Sequence, residues 1–310
     1  MNKHQLTLTQ AIAGYILAFQ ARKLSPNTLR EYQRTFSKFL DHLQGDPPIG
    51  QITADQVKEF LAAQVTVSNK TVLNYHIGLS SLWAWALSEH LVTENLLHRI
   101  RRPRPEKRAI VPFSEADLRA LAGAIDASRP YARPGKRECT HTVPNAERNR
   151  AIILLLLDTG LRATELCTIH LHDLDLKNRR VKLFGKGSKE RSVPFSARTG
   201  QAIWRYLATR PNANNGEPLF TTLNHTPLTA DRLEKLLANL GERAGVAGVH
   251  PHRFRHTFAI SYLRNGGDPW SLQDMLGHAT MEMVKRYLKL AQVDLDDAHR
   301  RASPVENWRL

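Results

Sequence analysis

Separated stretches of this chain carry the groups that phosphate chemistry needs. One reads Thr159-Gly160-Leu161-Arg162-Ala163-Thr164-Glu165-Leu166, another His252-Arg253-Phe254-Arg255-His256-Thr257, and a third Leu276-Gly277-His278 with Tyr287 nine residues on. Cleaving a phosphodiester without a metal requires cations on the non-bridging oxygens, a nucleophile in line, and an acid for the departing sugar oxygen. Arginine suits the first task, because its planar fork gives two charge-assisted hydrogen bonds and keeps its charge. Arg162 and Arg255 are the candidate clamps. On a helix His252 and Arg255 lie three positions apart and share a face, so both can address one phosphate, while Arg253 points elsewhere. The phenol of Tyr287 is the candidate nucleophile.

Blander readings exist for each residue. His252 and His256, at i and i+4, have the spacing of zinc ligands, but no carboxylate lies between them and Arg253 and Arg255 crowd the site with charge. A histidine after Leu276-Gly277 is, taken alone, a structural hydrogen bonder at a turn. Tyr287, flanked by Val284 and Leu288, is by default a half-buried core tyrosine. The joint occurrence of these residues favours the chemical reading.

The set resembles the catalytic domain of the tyrosine recombinase family, the phage integrase and Xer-type enzymes. The resemblance maps the family's positions onto Arg162, the hairpin lysine Lys186, His252, Arg255, His278 and Tyr287, with Lys189 the alternative to Lys186 on the same turn. It implies that Tyr287 attacks a DNA phosphate to give a 3′-phosphotyrosyl bond and a free 5′ hydroxyl. Arg162, Arg255 and His278 would stabilise the pentacoordinate state, His252 would assist proton transfer from the phenol, and Lys186 would protonate the leaving oxygen. Glu165, one turn past Arg162, would orient it. No cofactor and no metal is expected, and the reaction conserves bond energy, so it needs no ATP. The implied partners are double-stranded DNA and further copies of the chain, a homo-tetramer on DNA passing a C-terminal segment between neighbours. Leu288 to Arg301 could form that segment, stopped by Ser303-Pro304. The chain departs from the family's usual pattern at Phe254, where leucine is common, at Ala279-Thr280, and in a longer insertion over 126–146. The nearest enzyme rival is a type IB topoisomerase, and a DNA-binding regulator with a decayed site is the rival from another class.

The elements that must position these groups read as follows. From Leu6 to about Leu97 apolar residues recur at helical spacing, as in Ile12, Ile16, Phe19 and Tyr32, Phe36, Phe39, Leu40, Leu43. Ser25-Pro26-Asn27 places a cap and an N1 proline before a second helix, Gly45-Asp46-Pro47-Pro48 ends it, Thr53 opens a third, and a fourth runs from about Ser68 to Glu89. Arg101-Arg102-Pro103-Arg104-Pro105-Glu106-Lys107-Arg108 reads as an extended basic linker, since its prolines forbid helix. Beyond it, Ser114-Glu115-Ala116-Asp117 starts a helix and a strongly apolar central helix runs from about Ala146 to Asp158. Arg180 to Phe195, with Gly185 and Gly187 in the middle, reads as a β-hairpin with lysines at its tip. Gly185-Lys186-Gly187 lacks the spacing of a Walker loop. The expected fold is mainly α with a small β-hairpin or sheet: a two-domain clamp of a helical core-binding domain (1–100), a basic linker (101–112) and an α+β catalytic domain (113–310). That core-binding identity for the first half is implied by the resemblance.

Composition agrees with a polyanionic partner. The 310 residues hold 44 Lys+Arg against 29 Asp+Glu, a formal charge of +15. Residues 1–100 carry 9 cations and 7 anions, the linker 5 and 1, the remainder 30 and 21, so the excess sits in the linker and second domain. Arg101, Arg102, Arg104, Lys107, Arg108, Lys189 and Arg191 are accordingly expected to contact DNA, by releasing counterions from its backbone. Cys139 and Cys167 lie far apart, which disfavours a disulfide framework and suits a reducing cytoplasm. Cys139-Thr140-His141 lacks the partners of a metal site. No run has the apolar length of a membrane span and no signal peptide opens the chain, so a cytoplasmic location is expected.

Overall fold

The computed structural model of the chain describes residues 6–23, 25–106, 109–126, 145–184 and 190–291, with His299, Ser303 and Val305. The chain divides into two compact units, Met1–Arg108 and Ala109–Leu310. Among the described residues it is mainly helical with one three-stranded antiparallel sheet, the class read from the sequence.

The first unit is built from α1 (Leu8–Ala21), α2 (Pro26–Leu43), α3 (Ala54–Ala62) and α4 (Asn69–Ser88). Capping boxes open α1 and α3: the hydroxyls of Thr7 and Thr53 accept from the backbone N–H of Gln10 and Gln56, whose side chains accept in return. Such a cap contributes about 1 kcal/mol. Ser68 caps α4 in the same sense, accepting from Thr71 N–H, whereas Ser25 makes no side-chain bond and leaves the start of α2 to Pro26. The apolar stripes of the helices meet in an aromatic core of Phe36, Phe39, Phe60 and Trp83, with Phe39 edge-on to Phe60 at 5.1 Å between centroids. Residues 101–106 form neither helix nor strand, and Arg101, Arg102 and Arg104 are exposed. Lys107 and Arg108 lie outside the described residues.

The second unit opens with α5 (Glu115–Asp126), whose start is tied by reciprocal Ser114 and Asp117 hydrogen bonds. Next comes α6 (Ala146–Thr159), whose Ala151, Ile152, Leu155 and Leu156 are fully buried. It crosses α8 (Ala197–Ala208) and α10 (Pro251–Arg264), while α9 (Ala230–Ala244) covers α5. Burying each large aliphatic side chain contributes about 1.5–3 kcal/mol, which makes this helix the spine of the unit. Between α6 and α8 stand the short α7 (Ala163–Cys167) and the sheet, β1 (Leu174–Asp175), β2 (Arg180–Phe184) and β3 (Glu190–Pro194). Phe184 pairs with Glu190 and Arg180 with Pro194, so the hairpin read from the sequence is present and β1 is an added edge strand. Its tip, 185–189, is outside the described residues, as are most of the 126–146 insertion and residues 292–298. After α10 come α11 (Pro269–Leu276), entered through the break at Gly266-Gly267, and α12 (Glu282–Ala291). Leu288, the start of the expected exchange segment, lies within α12.

Candidate active site

Four backbone positions fix the site. Gly160 ends α6 with φ +62°, and a Cβ there would stand 2.5 Å from Phe258 and 2.8 Å from Leu276, so the turn into Leu161-Arg162 requires glycine. Gly277 ends α11 the same way, with φ +62° and the Arg191 guanidinium 3.0 Å from where a Cβ would be. Arg162 is the N-cap of α7, and Tyr287 sits on the buried face of α12 beside Val284. These turns deliver the Arg162 and His278 loops to the same end of α10.

Arg255, only 4% exposed, donates from Nη1 to Gly160 O at 2.8 Å and from Nη2 to Leu276 O at 2.7 Å. The same Nη2 lies 2.8 Å from His278 Nε2. Burial, then the neighbouring Arg162, pulls the Arg255 guanidinium down to about 10, which leaves it charged at neutral pH. Because arginine can only donate, His278 Nε2 is the acceptor and the proton of the neutral ring is on Nδ1. That Nδ1 is buried and has no hydrogen-bond partner. Burial, then Arg255, Arg162 and Arg191, lowers His278 to about 4.

Arg162 is held by Glu165. Its Nη1 donates to Oε1 at 2.7 Å and its backbone N–H to Oε2 at 2.9 Å, while Nη2 reaches Gly277 O at 3.2 Å. Arg191 Nη2 also donates to Glu165 Oε2, at 2.9 Å, and Arg191 Nε to Met275 O at 3.1 Å. Burial pushes the Glu165 carboxyl up, but the bonds from Arg191 and Arg162 outweigh it and leave the group below the usual carboxylate range. The orienting part expected of Glu165 therefore has a geometric basis. Arg191 differs from its expected place on DNA: it is 15% exposed and its guanidinium is spent on Glu165 and Met275. Strand periodicity explains this, since Arg191 shares the inward face of β3 with Val193.

Tyr287 is 1% exposed and its ring lies nearly parallel to that of His278, 6.3 Å between centroids at 17°. Burial raises its pKa, against the lowering effect of Arg255, Arg286 and Arg162. Its hydroxyl is 2.8 Å from Nδ1 of His256, not from His252. His252 is exposed on α10, its ring 6.5 Å from that of His256. The sequence singles out His256 only as half of a zinc pair and misses this contact; helical spacing shows no more than that His256 shares a face with His252. Arg253 points away, as expected, lying over Phe113 at 4.1 Å and bonding Asp117. Arg162, Arg255, His278 and Tyr287 thus form one connected cluster, with His252 at its rim through His256. Lys186 and Lys189 lie outside the described residues. An open cleft of about 1090 Å³ adjoins the cluster, lined by Arg162, Glu165, Arg191, Gly277 and His278 among others. Cys167, whose thiol burial pushes up to about 11, is an inert neighbour.

Two cationic forks and a histidine stand beside a phenol, an arrangement whose charges and donors suit phosphate chemistry. Residues 137–293 match the phage integrase family, and residues 12–90 the phage integrase N-terminal SAM-like domain. The chain belongs to the phage integrase family. It is 30% identical over 292 residues to the tyrosine recombinase XerC of Alcanivorax borkumensis, covering 91% of this chain and 90% of that one. It is 29% identical to XerC of Bacillus pumilus over 286 residues, 88% and 89% of the two chains. Its fold is similar to the structure of the Tn1549 transposon integrase in complex with transposon right end DNA, with a TM-score of 0.73 and 21% identity over 96% of this chain and 99% of that one. This integrase-family chain is a site-specific DNA recombinase of the tyrosine class, which decides against the topoisomerase and regulator readings.

Proposed function

We propose that Tyr287 attacks a DNA phosphate held by Arg162, Arg255 and His278, forming a 3′-phosphotyrosyl bond and releasing a 5′ hydroxyl. The hydroxyl of a partner strand reverses the step, and the energy of the broken bond is kept in the new one. One observation carries this reading: Arg162, Arg255, His278 and Tyr287 are joined in a single hydrogen-bonded and stacked cluster. The buried, unpartnered Nδ1–H of His278 would donate to a phosphate oxygen seated against it, and the guanidinium charges oppose the charge that grows in the pentacoordinate state. His252, exposed at the cluster's rim, is assigned to the phosphate as a further donor. Lys186 is assigned as the acid for the 5′ oxygen, with Lys189 its alternative.

The first unit and the basic linker would grip double-stranded DNA beside the catalytic unit, with Arg101, Arg102, Arg104, Lys107 and Arg108 on phosphates. Four copies would assemble on two sites, exchanging the segment that follows Tyr287, and the reaction would run in the cytoplasm, where DNA is held. No described helix is long and apolar enough to cross a membrane.

The test is covalent capture on nicked DNA. The wild-type chain should form an adduct that denaturing gels resolve, and Tyr287→Phe should form none while still binding; an adduct with Tyr287→Phe overturns the assignment. A 5′ thio leaving group, which needs no protonation, restores Lys186→Ala; failure of that rescue moves the role to Lys189. Truncation after Ala291 weakens synapsis of two sites, and unchanged synapsis removes segment exchange from the scheme.

A further inference from the structure

We infer that His256 is a catalytic residue of this recombinase, accepting the phenolic proton of Tyr287 at Nδ1 as the tyrosine oxygen bonds to phosphorus. The inference rests on Tyr287 being the nucleophile and names the group that activates it. Among the described residues the Tyr287 hydroxyl has one hydrogen-bond partner, His256 Nδ1 at 2.8 Å. The other groups nearby are not placed to take the proton in this arrangement. Arg162 and Arg255 are donors only. His278 has one lone pair in its neutral ring, and Arg255 Nη2 occupies it. His278 also meets Tyr287 ring against ring rather than at the hydroxyl. His252 makes no hydrogen bond to the hydroxyl.

The position of His256 also solves an access problem. A phenol 1% exposed cannot lose a proton directly to water. From Tyr287 the path outward runs through His256, which is half-buried, to His252, which is exposed, with the two imidazoles 6.5 Å apart. His256 stays neutral at physiological pH, because burial and then His252, His250, Arg286 and Arg255 disfavour its imidazolium and lower it to about 4. The neutral ring has one lone pair, and in the tautomer with its proton on Nε2 that pair lies on Nδ1 and accepts the phenolic hydrogen. A phosphate anion arriving among these cations offsets the field that opposes protonation. The step balances. The Tyr287 O–H proton goes to His256 Nδ1, the tyrosine O–P bond forms, the bond from phosphorus to the 5′ oxygen breaks, and that oxygen takes a proton from the general acid. In the reverse step His256 returns its proton to the departing phenolate. A weak base holds that proton lightly, which suits a reaction that must run both ways.

The experiment measures single-turnover adduct formation on a pool of nicked duplexes of randomised sequence, using the full-length chain. His256→Ala should slow the reaction by roughly 10²- to 10⁴-fold, the usual range for removal of a general acid or base. His256→Asn, whose amide oxygen can hold the hydroxyl but cannot take its proton, should be similarly slow. A fluorinated tyrosine at position 287, whose phenol is more acidic, should restore most of the rate to His256→Ala while changing the wild type little. That rescue also shows that the variant folds. An unchanged rate in His256→Ala, or a defect the acidic phenol does not relieve, overturns the inference while leaving Tyr287 the nucleophile. If the wild-type chain forms no adduct on any duplex, the reading of Tyr287 falls and the part given to His256 falls with it.

Discussion

Arg191 donates from Nη2 to Oε2 of Glu165 at 2.9 Å, and this contact fastens the β-hairpin to the turn that carries Arg162. The other carboxylate oxygen receives Arg162 Nη1, and Arg191 Nε holds Met275 O just before the Leu276-Gly277-His278 turn. One inward arginine therefore ties the hairpin, the Arg162 turn and the His278 turn together, with Gly277 leaving the room its guanidinium needs.

Arg191→Ala should cost about 1–3 kcal/mol of stability, because Glu165 and Met275 O are each deprived of a buried donor while Glu165 keeps Arg162. Adduct formation should slow as Arg162 loosens, yet the dependence of DNA affinity on salt should not change. A plot of log Kd against log salt checks this. A slope reduced by about 0.9, the value of one phosphate contact, would put Arg191 on DNA instead.

Gly160→Ala should lower stability by about 3 kcal/mol in chemical denaturation, combining a left-handed backbone with overpacking against Phe258 and Leu276. The substitution also pushes on the carbonyl that receives Arg255 Nη1. Unaltered stability would mean that Phe258 and Leu276 can step aside.

Much of this architecture is legible in the chain itself. Ser68 and Glu89 bound α4 as read, because a hydroxyl cap and the end of the apolar stripe are local signals. The hairpin edges follow from alternation and glycines. Basic character alone put Arg191 on DNA, although its period-two relation to Val193 already pointed it inward. The pairing of His256 with Tyr287 joins residues 31 apart through the crossing of α10 and α12. No spacing rule reaches across such a crossing, so helical phase could show that His252 and His256 share a face but not which of them meets the phenol. The two-residue strand β1 is too short to leave a pattern.

The stability of the chain should fall as pH drops from about 6.5 towards 4, partly through His278. Its folded ring, lowered to about 4 by burial and by Arg255, resists a proton that the unfolded chain accepts near 6.5. The unfolded state then binds more protons in that window, so stability is intact above it and is lost on acidification. Between pH 7 and pH 5 this one ring should contribute about 2 kcal/mol of loss. Glu165 acts in the same direction but below its ordinary 4.5, since its folded carboxyl is depressed, and stays out of this interval. His278→Gln should remove that share of the slope in denaturation curves at the two pH values. An equal slope in variant and wild type would show that His278 titrates normally in the folded chain.

Arg101, Arg102 and Arg104 are exposed in a segment that forms neither helix nor strand, so their charges are free to meet a backbone and their removal should leave the fold intact. An arginine that neutralises one phosphate accounts for about 0.9 of the slope of log affinity against log salt. Replacing all three by alanine should therefore lower the slope by about 3 and weaken binding to specific and random duplexes alike, since phosphate contacts carry no sequence information. Adduct formation at saturating protein should keep its rate, because the cluster around Tyr287 is built wholly from other segments. A triple variant with the wild-type salt slope would show these arginines to be solvated, and would leave DNA binding to cations elsewhere in the chain.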